Sequence, residues 1–464
     1  MKTKAVILAA GQGTRMKSDL LKVLHPVAGK AMIMYVVEAA RAAGASEIIV
    51  VTGYQEEKVR QLPLRDVTFV SQREQLGTGH ALSCARHSVG TEDHNLLVLY
   101  GDNPLLSPCL LQRMVTTRMQ DNADIVILTT VLDNPFGYGR IVRSPDGSIQ
   151  RVVEQRDLTE GEQHISEVLT GIFCFRSPAV FHLLEQLNTN NAQREYLLPG
   201  VVEIAIKSGL VVSSVIERDS SVCEGVNDRR QLANAERILR MRKLDELMDS
   251  GVTVLDPYHT YVDPDVTVGR DSTLYPGTFL KGKTSIGAGC VIGPGAQIAD
   301  SVLGDRVHVQ FSVIEESILE DDTRVGPYSH VRAGSHICTG AKIGNFAEIK
   351  NSRIGPGSKV PHHSYVGDTT LGAGVNVGAG AVTVNYDGKR KHRTVVGDGA
   401  FLGCNSNLVA PVTINKHAYV AAGSTISEDV PEGALAIARA RQTNKEGWVN
   451  KHRQEEEEDV VVRE

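Results

Sequence analysis

The sequence predicts a two-part α/β chain: an open parallel or mixed sheet flanked by helices, followed by a parallel β-helix. Three observations carry this expectation. An aliphatic residue returns every six positions through most of the second half. Strand-like and helix-like segments alternate in the first half. One segment with helical spacing separates the two patterns. A period of six fits neither a helix nor an alternating strand. It matches hexapeptide repeats, whose coils bury their aliphatic faces only by stacking on one another.

Taken in order, Ala5–Ala9 is a buried-strand run that enters a Gly-rich turn. Ala31–Ala43 is an apolar-rich helix with Gly44 as its stop. Glu47–Thr52, Leu96–Tyr100, Asp124–Val131 and Gly171–Phe175 read as further strands, and this alternation puts helices on both faces of the sheet. Asp228–Ser250 has Leu232, Ala235, Ile238, Leu239, Arg242 and Leu247 at helical spacing, with Gly251 after it. The expected divisions are residues 1–228 for the first domain, 229–250 for a helical linker, 251–438 for the coils and 439–464 for a tail. The acidic run Glu455–Asp459 reads as a solvated end.

The ladder begins Val262, Val268, Leu274, Leu280, Ile286, Ile292, Ile298. It restarts as Val307, Val313, Leu319, Val325, Val331, Ile337, Ile343, Ile349. It slips again through Ile354, Val360, Val366, Leu371 and Val377, breaks, and resumes from Val396 to Ile426. Gly and Pro at fixed offsets, as in Gly293-Pro294-Gly295, are corner residues of the coils.

At 464 residues the chain exceeds one compact domain, and its net charge of -6 excludes a broad nucleic-acid footprint. The seven cysteines, at positions 84, 109, 174, 223, 290, 338 and 404, form neither a disulfide framework nor a paired zinc spacing. A reduced, cytoplasmic setting is expected. The run Ala5–Ala10 is too short for a signal core, and no stretch is long enough to insert in a membrane.

Leu8 to Met16 reads L-A-A-G-Q-G-T-R-M directly after the first strand. It lacks the Gly-Lys-Ser/Thr of a Walker loop, and Met16 takes the third glycine place of a dinucleotide fingerprint. Its glycines allow backbone N–H groups to approach phosphate oxygens. Alone, the segment reads as a tight strand–helix turn; with Arg15 and Lys22 it reads as a phosphate site. Tyr100-Gly101-Asp102 puts a carboxylate at the C-terminal end of a strand. Asp102 reads equally as a turn or cap residue and as a hard-oxygen ligand for Mg²⁺. Asn227 is a second possible oxygen or a simple turn residue.

In the ladder, Lys359-Val360-Pro361-His362-His363-Ser364-Tyr365 places two imidazoles in one coil. The break before Val396 carries Asn385-Tyr386-Asp387-Gly388-Lys389-Arg390-Lys391, a basic loop in an acidic chain. Arg332, Lys350 and Lys391 together suit a phosphate. A histidine on a coil edge is by itself an ordinary surface residue.

These motifs, with Q-L-G-T-G-H at Gln75–His80, G-Y-G-R at Gly137–Arg140 and E-G-V-N at Glu224–Asn227, resemble the sugar-1-phosphate nucleotidyltransferases. With the ladder, the chain is similar to the bacterial bifunctional family that joins N-acetylglucosamine-1-phosphate uridylyltransferase to glucosamine-1-phosphate acetyltransferase. The resemblance implies a Rossmann-like nucleotidyltransferase domain and a left-handed β-helix. It implies that Leu8, Ala9, Ala10, Gly11, Gln72, Gly77 and Thr78 embrace UTP, with Tyr100 and Gly101 leading to Asp102. Gly139, Glu154 and Asn227 would reach the sugar; Asp102 and Asn227 would hold Mg²⁺; Arg15 and Lys22 would neutralise charge during uridylyl transfer. In the coils, His362 would be the general base, with His363 its rival. Arg332, Lys350, Tyr365, Asn376 and Lys391 would bind the sugar phosphate. Ala379, Asn385, Tyr386, Cys404, Ala422 and Arg439 would line the path of acetyl-CoA. The family packs as a homotrimer, with Arg441–Trp448 covering a neighbour's site. Its partners would be UTP, sugar-1-phosphates and acetyl-CoA, not nucleic acid.

Three departures stand out. Leu169 replaces a usual Asn before Thr-Gly. Asn191–Gly200 ends in Leu-Leu-Pro-Gly where Tyr-x-Thr-Asp is usual, and Leu21 replaces a Pro. Leu169 lacks an amide's hydrogen bonds and Pro199 lacks an N–H, so uridylyl transfer with weakened or altered sugar recognition is expected. Competing readings are an acetyltransferase whose first domain is impaired and a non-catalytic assembly subunit.

Overall fold

The computed structural model describes residues 1–155, 158–191 and 194–453; the acidic run Glu455–Asp459 lies outside the described residues. The chain forms two compact units, which divide between Lys243 and Leu244, inside the helix Arg229–Asp249.

The first unit is built on a nine-stranded mixed sheet. Its main order is Val212–Glu217, Ile125–Val131, Glu167–Ser177, His94–Tyr100, Thr3–Ala9, Glu47–Thr52 and Val67–Ser71. Glu167–Ser177 runs antiparallel to both neighbours, whereas Thr3–Ala9 is parallel to both of its own. Every residue of Thr3–Ala9 is buried. Ala5, Ile7 and Ala9 face one apolar cluster and Val6 and Leu8 the other. Burial on both faces explains why this strand is a continuous apolar run rather than an alternating one. The expected helix is Met32–Ala42. The expected strand at Gly171–Phe175 is longer, Glu167–Ser177, with a register shift between Leu169 and Phe173. A hairpin, Arg140–Arg143 with Ile149–Val153, pairs with it. Thr3–Ala9, Glu47–Thr52 and His94–Tyr100 end on the same edge, where parallel sheets bind ligands.

The second unit is a left-handed parallel β-helix. Successive short strands fall in turn on three parallel sheets of 11, 10 and 9 strands. Its handedness departs from the right-handed rule for parallel crossovers. Each coil points one aliphatic residue inward per side, and Leu274, Ile292, Val331, Ile343 and Val360 are completely buried. A buried small residue sits two places earlier, as Ser272, Thr278, Thr284 and Cys290 do.

The ladder differs from expectation in one stretch. After Ile298 the inward residues are Leu303, Val309 and Ile314, not Val307 and Val313. The sides ending in Leu303, Ile314 and Leu319 are one residue short, so a strict count of six drifts out of phase. Val307 is buried in the small-residue column and Val313 is half-buried. The break before Val396 also contains one regular side, Val382–Val384, with Thr383 pointing inward in place of an aliphatic residue. Its hydroxyl accepts the Gly367 N–H at 2.8 Å.

Candidate active sites

In the first unit the Gly-rich turn leaves the end of Thr3–Ala9 and enters a short helical turn, Thr14–Met16. Gly13 has φ 67°, and a Cβ there would overlap the Cβ of Lys22. Glycine is therefore required for the turn to lie against the lysine. The turn borders a cleft of about 560 Å³. Leu8, Ala9, Ala10, Gly11, Lys22, Gln72, Gly77, Thr78, Tyr100 and Asp102 line it, together with Gln75 and Glu195, which sequence reasoning did not single out. Gln75 lies inside the Q-L-G-T-G-H motif, and its amide donates to the Ala10 carbonyl at 3.0 Å, fixing the turn. Gln72 donates to the Gly77 carbonyl at 3.1 Å, and the Thr78 hydroxyl accepts the Leu198 N–H at 2.9 Å. Burial pushes the Tyr100 phenol up to about 12.

One charged cluster sits in this cleft. The Lys22 ammonium makes a short salt bridge to Asp102 Oδ2 and donates to Asn227 Oδ1 at 3.1 Å. Arg15 donates to the same Asn227 oxygen at 2.8 Å. The Asp102 and Asn227 oxygens thus converge on the Lys22 ammonium, with Arg15 beside it. Hard oxygens with that convergence fit Mg²⁺. Gly101, whose N–H donates to the Leu8 carbonyl at 2.9 Å, Arg15 and Asn227 do not line the cleft themselves. Gly139 and Glu154 face each other on the hairpin, a Gly139 Cβ falling 3.6 Å from Glu154 Oε1, and neither lines the cleft. The Leu169 N–H donates to the Gly139 carbonyl at 2.9 Å, and its side chain is buried in the apolar cluster of the sheet.

In the second unit the coils stack His362 directly on Asn345. His362 Nδ1 and Asn345 Oδ1 lie 2.8 Å apart. With the amide oxygen accepting, the proton is on Nδ1 and the Nε2 lone pair faces outward, as a base requires. The same corner column continues through Ala379, Cys404 and Ala422, each two residues past an inward aliphatic. Asn405 N–H donates to the Ala379 carbonyl and Gly423 N–H to the Cys404 carbonyl, both at 2.8 Å. Small side chains above the imidazole leave a bare strip beside it. A Cβ at Gly423 would touch Arg439 at 3.9 Å, so Arg439 stands at the end of that strip. On its other side a groove of about 370 Å³ runs to Asn345 and His362 and carries His308, Arg324 and Lys342. His363 turns the corner at φ 44° with its side chain exposed.

Around the next corner the cations gather. The Lys391 ammonium beside Lys350 lowers the Lys350 pKa, with Arg332 adding to the effect. Two neighbouring ammonium groups suit an anion between them. Glu348 pairs with Arg332 at 2.7 Å and raises its pKa. Asn376 stacks on Lys359. Asn385 donates to the Tyr365 hydroxyl at 3.4 Å and also to Asp368, which receives Asn351 as well. The basic loop is pinned by Asp387, whose pKa is held down at about 2 by the N–H of Arg390, the His392 ring and the N–H of Lys389. Tyr386 is 57% exposed and donates to the Gly388 carbonyl at 2.7 Å.

Residues 5–195 match the family of MobA-like NTP transferase domains. "Bifunctional protein GlmU" of Carboxydothermus hydrogenoformans is 49% identical over 96% of this chain and 100% of its own. The proteins of that name from Geobacillus sp. and Acetivibrio thermocellus are each 47% identical, over 97% and 98% of this chain and 98% and 99% of their own. A solved UDP-glucose pyrophosphorylase complexed with UDP-glucose is similar at a TM-score of 0.44 and 18% identity over 52% of this chain and 100% of its own, too faint a likeness to carry weight.

Proposed function

The chain belongs to the family of bifunctional GlmU proteins, and on that premise we propose how its two units divide the chemistry. It is an enzyme of UDP-N-acetylglucosamine synthesis, with acetyl transfer to glucosamine-1-phosphate and uridylyl transfer to the N-acetylated product. Acetyl-CoA and a uridine nucleotide are its co-substrates. Nothing favours an impaired first domain or a regulatory subunit.

We assign acetyl transfer to the coil corner. The substrate phosphate lies against Lys350, Lys391 and Arg332, and the sugar against Tyr365 and Asn376. Its amine attacks the thioester carbonyl; the N–C bond forms, the C–S bond breaks, and coenzyme A leaves as the thiol. His362 Nε2 takes the proton that the amine loses and returns it to the leaving sulfur. Asn345 holds the imidazole tautomer, and the strip of Ala379, Cys404 and Ala422, ending at Arg439, receives the coenzyme with Asn385 and Tyr386 near its acetyl group. The observation that carries this reading is His362 hydrogen-bonded to Asn345 at 2.8 Å beneath that bare strip.

We assign uridylyl transfer to the cleft of the first unit. A sugar-phosphate oxygen attacks the α-phosphorus of UTP in line and pyrophosphate leaves. The backbone from Leu8 to Gly11, with Gln72, Gly77 and Thr78, positions the nucleotide; Gly139 and Glu154 serve the sugar. Arg15 and Lys22 neutralise the phosphates. Mg²⁺, held by Asp102 and Asn227, would supply further charge neutralisation. We further propose a homotrimer, in which Arg441–Trp448 covers a neighbouring site. A cytoplasmic setting is proposed on the scattered, unpaired cysteines. Among the described residues no helix is long and apolar enough to cross a membrane.

The test is a single-pot reaction of purified protein with glucosamine-1-phosphate, acetyl-CoA and UTP. UDP-N-acetylglucosamine should accumulate, and omitting acetyl-CoA should leave most of the UTP intact. Equal UTP consumption without acetyl-CoA would reject the proposed order.

A further inference from the structure

One corner column of the β-helix is kept almost bare. The residue following the inward aliphatic is glycine at Gly269, Gly287, Gly304, Gly355, Gly372 and Gly397. The next coil enforces this: a Cβ at Gly269 would fall 2.6 Å from Gly287 backbone carbon, and one at Gly397 would fall 2.6 Å from the Lys416 nitrogen. Three coils break the pattern: Glu320 after Leu319 and Cys338 after Ile337 on successive coils, and Asn415 after Ile414 on the last. Glu320 and Cys338 are metal-ligating types.

A third ligating group joins them. His336, on the Cys338 coil, turns its Nε2 back to Glu320 Oε1 at 2.7 Å. Ligand atoms of Glu320, His336 and Cys338 all lie within 4.8 Å of one another. Glu320 Oε2 accepts from the Thr339 N–H at 2.9 Å and hydroxyl at 2.8 Å, so the carboxylate is oriented from outside the triad. Cys338 is fully buried, while the Glu320 and His336 side chains are 35% and 37% exposed and give an ion its approach.

We propose that Glu320, His336 and Cys338 form a zinc-binding site, with one carboxylate oxygen, His336 Nε2 and Cys338 Sγ as ligands and water in the fourth position. A thiolate, an imidazole and a carboxylate together suit borderline-soft Zn²⁺ better than Mg²⁺ or Ca²⁺. Tetrahedral zinc needs ligand atoms roughly 3.3–3.7 Å apart. The imidazole–carboxylate contact must open by roughly 0.6–1 Å and the gap to the sulfur must close by at most about 1.5 Å, movements left to the half-exposed Glu320 and His336 side chains while Cys338 stays buried. On binding, the thiol releases its proton to solvent and the imidazole stays neutral. The site is separate from His362 and from the cleft of the first unit, and none of its residues has a part in either transfer.

The test uses full-length protein stripped with a chelator and titrated with Zn²⁺ against a chromogenic competitor, then with Co²⁺ read by absorption. Cys338→Gly, which restores the glycine of the column, and His336→Gln are compared with the wild type. The wild type should bind one more zinc ion per chain than Cys338→Gly, and Co²⁺ should give a thiolate charge-transfer band. His336→Gln should weaken binding at least tenfold, roughly the lower bound for loss of a supporting or ligating group. Both variants should keep both transferase activities, which certifies the fold. Equal zinc stoichiometry and affinity in all three proteins, or a Co²⁺ spectrum without the thiolate band, would overturn the proposal.

Discussion

Asn345→Ala isolates what the coil stacking contributes to catalysis. The substitution removes the acceptor 2.8 Å from His362 Nδ1 and little else. His362 is exposed, so its ring is then free to rotate and to exchange its Nδ1–H and Nε2–H tautomers. A net hydrogen bond of this kind is worth about 0.5–1.5 kcal/mol. Lost only in the reacting arrangement, that converts to roughly a 2- to 13-fold fall in kcat of acetyl transfer at unchanged KM for acetyl-CoA. Asn345→Asp keeps an acceptor and adds a charge beside the ring, so it should retain activity but move the base inflection of the pH profile upward. The assay is release of the coenzyme A thiol, with pyrophosphate release measured on the same sample as an internal control. An unchanged acetyl-transfer rate in Asn345→Ala, or an equal loss of both activities, would refute the orienting role.

Three further outcomes are expected. Gly13→Ala forces a Cβ into Lys22 at φ 67°; with a left-handed strain of about 1–2 kcal/mol, pyrophosphate release should fall by roughly 5- to 30-fold while acetyl transfer is unaffected. Because Lys391 lowers the Lys350 pKa, the Lys350 charge is present at low pH and is lost as pH rises, before the ordinary lysine value of 10.5. The kcat/KM for glucosamine-1-phosphate should therefore decline with rising pH below that value, and Lys391→Ala should weaken binding yet move the inflection upward; an inflection left in place would show that the two ammoniums do not interact. As the test of weakened sugar recognition, Leu169→Asn should lower the KM for N-acetylglucosamine-1-phosphate, and an unchanged or higher KM would dismiss the buried leucine as its cause.

The six-residue period was legible because one inward residue per side is a rigid geometric demand. It failed where geometry changed: the short sides ending in Leu303, Ile314 and Leu319 threw Val307 and Val313 out of phase. Thr383 escaped notice because a hydroxyl satisfied by the Gly367 N–H can replace an aliphatic residue inside the coil. Val212–Glu217 lacks both alternation and a continuous apolar run, since it pairs on one side only, beside Ile125–Val131. Within the sites, the motif residues Lys22, Asp102, Asn227 and His362 were legible as types of chemistry. The partner of His362 was not. Asn345 lies 17 residues before His362, one coil below, so the coil length was the signal that could have found it. The Ala379–Cys404–Ala422 strip needed the same register. Glu195 enters the cleft from a distant segment, and nothing local in its sequence announces that.

The proposed division places the two transfers in separate sites built by separate units. The most direct measurement assays both transfers on His362→Ala and on Asp102→Ala, each purified as the full chain. A crossed result is expected: His362→Ala loses acetyl transfer and keeps pyrophosphate release from UTP and N-acetylglucosamine-1-phosphate, while Asp102→Ala does the reverse. Loss of both activities in either folded variant, or of neither, would contradict it.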